Sequence, residues 1–206
     1  LKTPVSSIRG YIETMIERGD NLDNEKRKHF MERCYAQSDR LSHLLQDIST
    51  LNMMDNKQSA ANPEPVNISI LVGEILKDVA LALDSHHMAV NNSLPDNLIV
   101  SGDRSLIYSI FRNLTDNAIA YAGEGKEISI RMFRTDDEFY YFSFADNGVG
   151  VADQHLSRIF ERFYRVDKGR SRKLGGTGLG LAIVKNAVIM HGGTISAKRN
   201  VGSGLE

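Results

Sequence analysis

Ser105-Leu106-Ile107-Tyr108-Ser109-Ile110-Phe111-Arg112-Asn113-Leu114-Thr115-Asp116-Asn117-Ala118-Ile119-Ala120-Tyr121 is the stretch on which the reading of the chain turns. Ile107, Ile110, Phe111, Leu114 and Ala118 recur at helical spacing and form a core face, with Asp103 ahead of them as an N-cap. On a neighbouring stripe Asn113, Asn117 and Tyr121 follow one another at single-turn steps, so two carboxamides and a ring point into one space. A carboxamide oxygen is a neutral ligand for a hard cation such as Mg²⁺, which keeps several waters and completes its shell with phosphate oxygens. Taken alone, the same pair serves equally well as ordinary solvent-facing asparagines.

Outward from this helix the pattern is mixed. Ile68 to Leu83 reads as helix, Met88 to Leu94 and Leu98 to Ser101 as short strands, and Glu127 to Arg134 and Glu138 to Ala145 as strands around the turn Thr135-Asp136-Asp137. A helix from about Gly178 to Met190 and a strand from Thr194 to Arg199 follow. This order implies an α+β layer rather than repeated βαβ units. The first quarter differs. Val5, Ile8, Ile12 and Met15 trace one narrow stripe, the turn Gly19-Asp20-Asn21 interrupts it, and Phe30, Cys34, Leu41, Leu44, Ile48 and Leu51 resume it on a long helix that Asp23 or Asn24 can cap. Two such helices make an antiparallel hairpin that cannot cover its own seam, so a four-helix bundle in a homodimer is expected. Between the regions, residues 56–65 are aperiodic and hold two of the four prolines, which reads as a linker. The expected organisation is therefore a hairpin over 1–55, a linker over 56–65 and an α/β sandwich with a mixed sheet over 66–206.

Composition narrows the function. With 206 residues, 41% hydrophobic and 25% charged, the chain can bury a core and is not expected to be disordered. Its 25 Lys and Arg balance 26 Asp and Glu, giving no global field for nucleic acid or an anionic membrane. A single cysteine, Cys34, cannot close an internal disulfide and suits a reducing, cytoplasmic setting. No run nears the roughly 18 apolar residues of a membrane span. Neither nucleic acid nor membrane contact is expected of this stretch. Opening on Leu1-Lys2-Thr3-Pro4 and stopping at Gly204-Leu205-Glu206 after a glycine turn, it reads as part of a longer protein.

Three further segments carry chemistry. In Ala145-Asp146-Asn147-Gly148-Val149-Gly150, a carboxylate ends an apolar strand and two glycines keep the backbone thin, an arrangement that can accept a hydrogen bond from an exocyclic amine beside a flat ring. Asp153 stands where a dinucleotide fingerprint needs its third glycine. Gly175-Gly176-Thr177-Gly178-Leu179-Gly180 opens a helix with bare backbone N–H groups, a natural phosphate seat, but lacks the lysine of a P-loop. Ahead of it Arg162, Arg165, Lys168, Arg170, Arg172 and Lys173 form either a solvated basic loop or a lid that brings cations to a polyphosphate. In this order the four segments describe one nucleotide site.

The order resembles the N, G1, F and G2 boxes of the bacterial sensor histidine kinases, within the superfamily that also holds gyrase, mismatch-repair ATPases and heat-shock chaperones. Asn113 to Ala118 resembles the N box, Asp146 to Gly150 the G1 box, Ile159-Phe160-Glu161-Arg162-Phe163-Tyr164-Arg165 the F box, and Gly176 to Gly180 the G2 box. Leu1-Lys2-Thr3-Pro4 resembles the tail of the H-E-x-x-T-P phosphoacceptor motif. The resemblance implies an ATP:protein-histidine phosphotransferase of a two-component system, working with ATP and Mg²⁺ and passing the phosphoryl group to the receiver domain of a response regulator. It implies that Asp146, with Gly148 and Gly150, binds the adenine and that Tyr121 packs on it. Asn117 and Asn113 would hold Mg²⁺ and phosphate oxygens, Arg165 would reach the terminal phosphate, and Gly176, Thr177, Gly178, Leu179 and Gly180 would wrap the phosphates. Thr3 stands where members with phosphatase activity hold a hydroxyl or amide, and also suits a helix cap. Many similar kinases are membrane-anchored, which extends to the parent of this segment.

Two departures stand out. Ala120 replaces a lysine that members often carry three residues after the second asparagine. The acceptor histidine would precede Leu1, and none of His29, His43, His86, His87, His155 or His191 has its context, so the 206 residues alone are expected not to label themselves. Two other readings compete. A hydrolytic ATPase of the superfamily places a glutamate where Asn113 stands, and an amide cannot take a proton from water. A silent nucleotide-binding scaffold is disfavoured by the joint retention of Asn117, Asp146, Gly150 and Gly178, and favoured only by Ala120.

Overall fold

The computed structural model describes residues 2–55, 63–166 and 176–206. They divide into two compact units, Leu1–Asn52 and Met53–Glu206. No described helix is long and apolar enough to cross a membrane.

The first unit is a helical hairpin. Helix α1 spans Lys2–Arg18, a short 3-10 turn spans Gly19–Asn21, and α2 spans Asn24–Asp55, its last turn lying in the second unit. Asp23 caps α2 by accepting the Lys26 N–H at 2.7 Å. Across the hairpin the Tyr11 and Phe30 rings lie 5.5 Å apart, and Cys34 meets the Ile8 carbonyl. The seam is only partly covered. Val5, Ile12 and Ile16 stay exposed on α1, as does Met31 on α2.

The second unit layers helices on a mixed sheet. Strand β1 (Glu64–Asn67) pairs antiparallel with β3 (Ile99–Gly102); β2 (Ala89–Ser93) pairs parallel with β4 (Glu127–Thr135), which pairs antiparallel with β5 (Tyr140–Asp146). The helices are α3 (Ile68–Asp78), α4 (Ala80–Ser85), α5 (Arg104–Tyr121), α6 (Asp153–Leu156) and α7 (Gly180–Met190). One buried cluster joins Leu71, Val72 and Ile75 of α3 to Ile107, Phe111 and Ala118 of α5 and to Ile128 and Ile130 of β4. Full burial of each such aliphatic side chain contributes about 1.5–3 kcal/mol, which holds α5 to the sheet. Helix α7 packs on α5 and buries Ala182, Ile183, Val184 and Ala187.

Polar contacts fix where α5 begins. Asp103 accepts the Ser105 and Leu106 N–H groups at 2.8 and 3.1 Å. Its own N–H donates to His191 Nε2 at 3.1 Å, while His191 Nδ1 bonds the Ala187 carbonyl at 2.7 Å. The tautomer is thereby set, with the proton on Nδ1, and the imidazole joins the end of α7 to the start of α5.

The structure corrects three expectations. The linker is shorter than residues 56–65, because Glu64 and Pro65 belong to β1, opposite Gly102 and Ser101. Proline fits there because its missing N–H can face away from the single partner strand. The helix expected over Ile68 to Leu83 is broken at Val79, whose φ of −100° and ψ of 6° separate α3 from α4. Thr194 to Arg199 does not form a strand among the described residues; only Arg199 makes a bridge, to Leu205, with Lys198 and Glu206 exchanging two backbone hydrogen bonds.

Candidate nucleotide-binding site

The C-terminal half of α5 is the floor on which the other segments meet. Gly148 packs so closely on Ala122 that a side chain there would strike its backbone, and the Val149 N–H donates to the Ala122 carbonyl at 3.3 Å. This brings the Asp146 turn to the end of the helix. From the other side, a methyl at Gly180 would lie 2.7 Å from Asn113 Oδ1, and one at Gly176 would collide with the Tyr121 hydroxyl. Gly176 also lies beside Arg165, whose Nη2 is 3.8 Å from the same point. The N–H of Phe163 donates to the Gly178 carbonyl at 2.7 Å, tying the segment before residues 167–175 to the segment after them. The described parts of the four segments, Asn113 to Tyr121, the Asp146 turn, Phe163 to Arg165 and Gly176 to Gly180, therefore meet along α5.

Each expected residue has a definite situation. Asn113 donates from Nδ2 to the Ser109 carbonyl at 2.8 Å, leaving its Oδ1 toward the start of α7. The half-buried Asn117 carboxamide, one turn on, makes no hydrogen bond among the described residues. Burial pushes the Asp146 carboxyl above its ordinary value, against the pull of the Gly148 and Leu205 N–H groups. Its Oδ1 accepts the Gly148 N–H at 2.8 Å. Gly150 takes a φ of 68° and Gly178 one of 74°, conformations that a side chain disfavours. Leu179 is fully buried and its N–H is taken by Thr177 Oγ1 at 3.1 Å, so this amide is engaged within the loop rather than bare.

Arg165 brings a cation beside Gly176, and its Nε and Nη2 are buried with no hydrogen-bond partner among the described residues. Buried guanidinium donors without an acceptor are costly, and an anion brought beside them would satisfy them. Arg162, expected among the lid cations, instead makes a two-pronged pair with Asp55 at 2.6 and 2.9 Å. That pair holds the Asp55 carboxyl below its ordinary value. Lys168, Arg170, Arg172 and Lys173 lie outside the described residues, as does Gly175. Thr3 falls in the first turn of α1.

Residues that sequence reasoning passed over back the Asp146 turn. Asn147 Oδ1 accepts the Glu127 N–H at 2.7 Å, Asn200 Nδ2 donates to the Asp146 carbonyl at 2.8 Å, and Ser203 Oγ donates to the Asn147 carbonyl at 2.9 Å. Asparagine followed by two glycines at Asn200-Val201-Gly202-Ser203-Gly204 was the available signal for a tight turn.

Residues 102–206 match the family described as histidine kinase-, DNA gyrase B- and HSP90-like ATPase, and residues 1–57 match the His Kinase A phospho-acceptor domain. The chain belongs to the two-component sensor histidine kinases. Among relatives of this kinase, SenX3 of Mycobacterium tuberculosis is 34% identical over 204 residues, covering 99% of the chain and 49% of SenX3. The chain thus spans about half the length of such relatives. Of solved structures, the Acinetobacter baumannii histidine kinase AdeS is 26% identical with a TM-score of 0.79, covering 100% of this chain and 93% of that one. The histidine kinase ThkA, solved in complex with the response regulator protein TrrA, shares the fold at 19% identity and a TM-score of 0.73, over 99% of this chain and 56% of that one. Membership makes residues 102–206 an ATP-binding domain of that family and residues 1–57 its phospho-acceptor-type helical domain.

Proposed function

We propose that this core binds Mg-ATP across the α5 floor and presents its γ-phosphate to a histidine of the phospho-acceptor motif that ends at Leu1-Lys2-Thr3-Pro4. The observation that carries the reading is the pair of buried Arg165 nitrogens, Nε and Nη2, without an acceptor among the described residues and beside Gly176, which abuts the Tyr121 hydroxyl. Asp146 takes the exocyclic amine of adenine beside the thin backbone of Gly148 and Gly150, and Tyr121 packs on the ring. Asn117, whose carboxamide makes no hydrogen bond among the described residues, would hold the magnesium together with Asn113 Oδ1; this neutral oxygen donor set suits a hard cation that shares its shell with phosphates and water. When bound, the ion screens the phosphate charge. Arg165 binds the terminal phosphate, and Gly176, Thr177, Gly178, Leu179 and Gly180 line the rest; the Leu179 N–H reaches phosphate only if Thr177 Oγ1 turns away.

In the transfer, an imidazole nitrogen attacks the γ-phosphorus in line through its lone pair as the bond to ADP breaks, and the acidic neighbour in the motif takes the proton from the other ring nitrogen. Arg165 offsets the charge of the passing group, and positioning supplies much of the acceleration. The phosphoryl group then passes to an aspartate of a response-regulator receiver domain docked on the hairpin. In the same reading the Thr3 hydroxyl would orient a water for hydrolysis of that phospho-aspartate. None of the six histidines of the chain has the sequence context of the acceptor in this reading. The exposed Val5, Ile12 and Ile16 support a homodimeric four-helix bundle. The segment works on the cytoplasmic side, within a parent anchored in the membrane.

Hydrolysis of ATP by water is disfavoured because Asn113, already donating to Ser109, offers no base. Calorimetry with a non-hydrolysable ATP analogue, with and without Mg²⁺, tests the proposal: Asn117→Ala abolishes the gain from Mg²⁺ and Arg165→Met weakens binding about tenfold or more. Affinity unaffected by either substitution or by the metal leaves the scaffold reading in its place. Placing His-Glu ahead of Leu1 restores labelling from γ-labelled ATP.

A further inference from the structure

The Asp146 turn rests on Ala122 at the end of α5 and on the edge of β4, and a second turn holds it from the other side. Residues 200–204 close on themselves through the Asn200 N–H to the Gly204 carbonyl at 3.2 Å. Val201 N–H donates to Asn200 Oδ1 at 2.8 Å, which sets the orientation of the Asn200 amide and leaves Nδ2 as its outward donor. That donor meets the Asp146 carbonyl, and Ser203 Oγ meets the next carbonyl, of Asn147. Gly204 is buried with φ of 100° directly against the Asp146 carbonyl, and its own carbonyl would lie 2.7 Å from a methyl at Gly150. The Asp146 N–H donates to the Leu205 carbonyl at 2.9 Å.

We propose that the turn Asn200–Gly204 is the positioning element for purine selection, with Asn200 and Ser203 acting as positioning residues that aim the Asp146 carboxylate. The inference rests on the reading that Asp146 takes the adenine amine. Its physical basis is that a peptide plane held at its carbonyl cannot rotate. Asn200 and Ser203 hold the planes on both sides of Asn147, and Asn147 itself is held to Glu127 at the edge of β4. The direction of the Asp146 side chain follows from those planes. Selection depends on that direction: the exocyclic group of adenine donates to a carboxylate, whereas guanine presents an acceptor at the same place and is repelled. Loosening the turn should blur the distinction and leave the phosphate contacts, which the two nucleotides share, unchanged.

The test compares non-hydrolysable ATP and GTP analogues, each with Mg²⁺, by calorimetry on the full chain. Asn200→Asp keeps the size of the side chain and removes the donor; it lowers the ATP-over-GTP preference by about three- to tenfold, the worth of one buried hydrogen bond. Ser203→Ala, at an exposed position that spares the fold, lowers the preference in the same direction, and Ser203→Thr, which keeps the hydroxyl, restores it. Asp146→Asn abolishes most of the preference. If Asn200→Asp and Ser203→Ala weaken both analogues equally, or neither, while Asp146→Asn still removes the preference, the positioning role is overturned and the adenine reading stands. If Asp146→Asn leaves the preference intact, the adenine reading fails and the proposal fails with it.

Discussion

Asp146 is a residue that the fold tolerates rather than wants. Burial raises its carboxyl above the ordinary value of 3.8, so the folded protein resists the ionised form it holds at neutral pH. The sign follows: below pH 3.8 both folded and unfolded chains are protonated and nothing is lost, whereas above the raised folded value the full penalty applies. Asp146→Asn, which can still accept the Gly148 N–H, should therefore raise the melting temperature by about 1–4 °C at pH 7–8, with the gain shrinking to nothing as the pH falls below 4. Calorimetric melts of both proteins across that range check it. Arg165 Nε and Nη2 are buried without an acceptor among the described residues, so Arg165→Met should melt higher without nucleotide while losing more of the stabilisation that an ATP analogue gives. These residues were legible in the sequence because a lone acid at a strand end and a cation before a glycine run are chemical signals. Asn200 and Ser203 were not, since their work lies in contacts with carbonyls more than fifty residues away.

At the scale of elements, the sequence spoke clearly where periodicity had a partner and misled where it had none. The α5 stripe was readable because Ile107, Phe111 and Ala118 meet a buried sheet face. Thr194 to Arg199 alternates like a strand, yet the ladder that would make it one is reduced to a single bridge among the described residues. The break at Val79 left no mark because the apolar spacing of α3 continues into α4. Phe163 is the least legible residue, a bulky aromatic at φ of 63° with its ring largely exposed. It holds that conformation while its N–H reaches Gly178, at the base of the segment on either side of residues 167–175. Phe163→Gly should relieve about 1 kcal/mol of backbone strain, visible as a higher denaturation midpoint. Gly178→Ala should act the other way, because its methyl would meet Phe163 at 3.1 Å in a conformation suited to glycine, and it should weaken nucleotide binding.

For the whole molecule, the exposed apolar residues of α1 and the pairing of β1 matter most. Ile12 and Ile16 are 42% and 74% exposed on the hairpin, a cost that association of two copies removes. Light scattering on the double variant Ile12→Glu, Ile16→Glu should give the mass of one chain where the unaltered protein gives two; a dimer that persists would locate the seam elsewhere. The annexation of Glu64 and Pro65 by β1 leaves only residues 56–63 between α2 and the sheet. Nine peptide steps from Asp55 to Glu64 reach about 30 Å when fully stretched, whatever path they take. On the proposed function, a leash of that length would hold nucleotide and target at millimolar effective concentration and favour capture of a neighbouring imidazole over any free competitor. Lengthening the leash should then slow phosphorylation through dilution alone while leaving nucleotide affinity as it was.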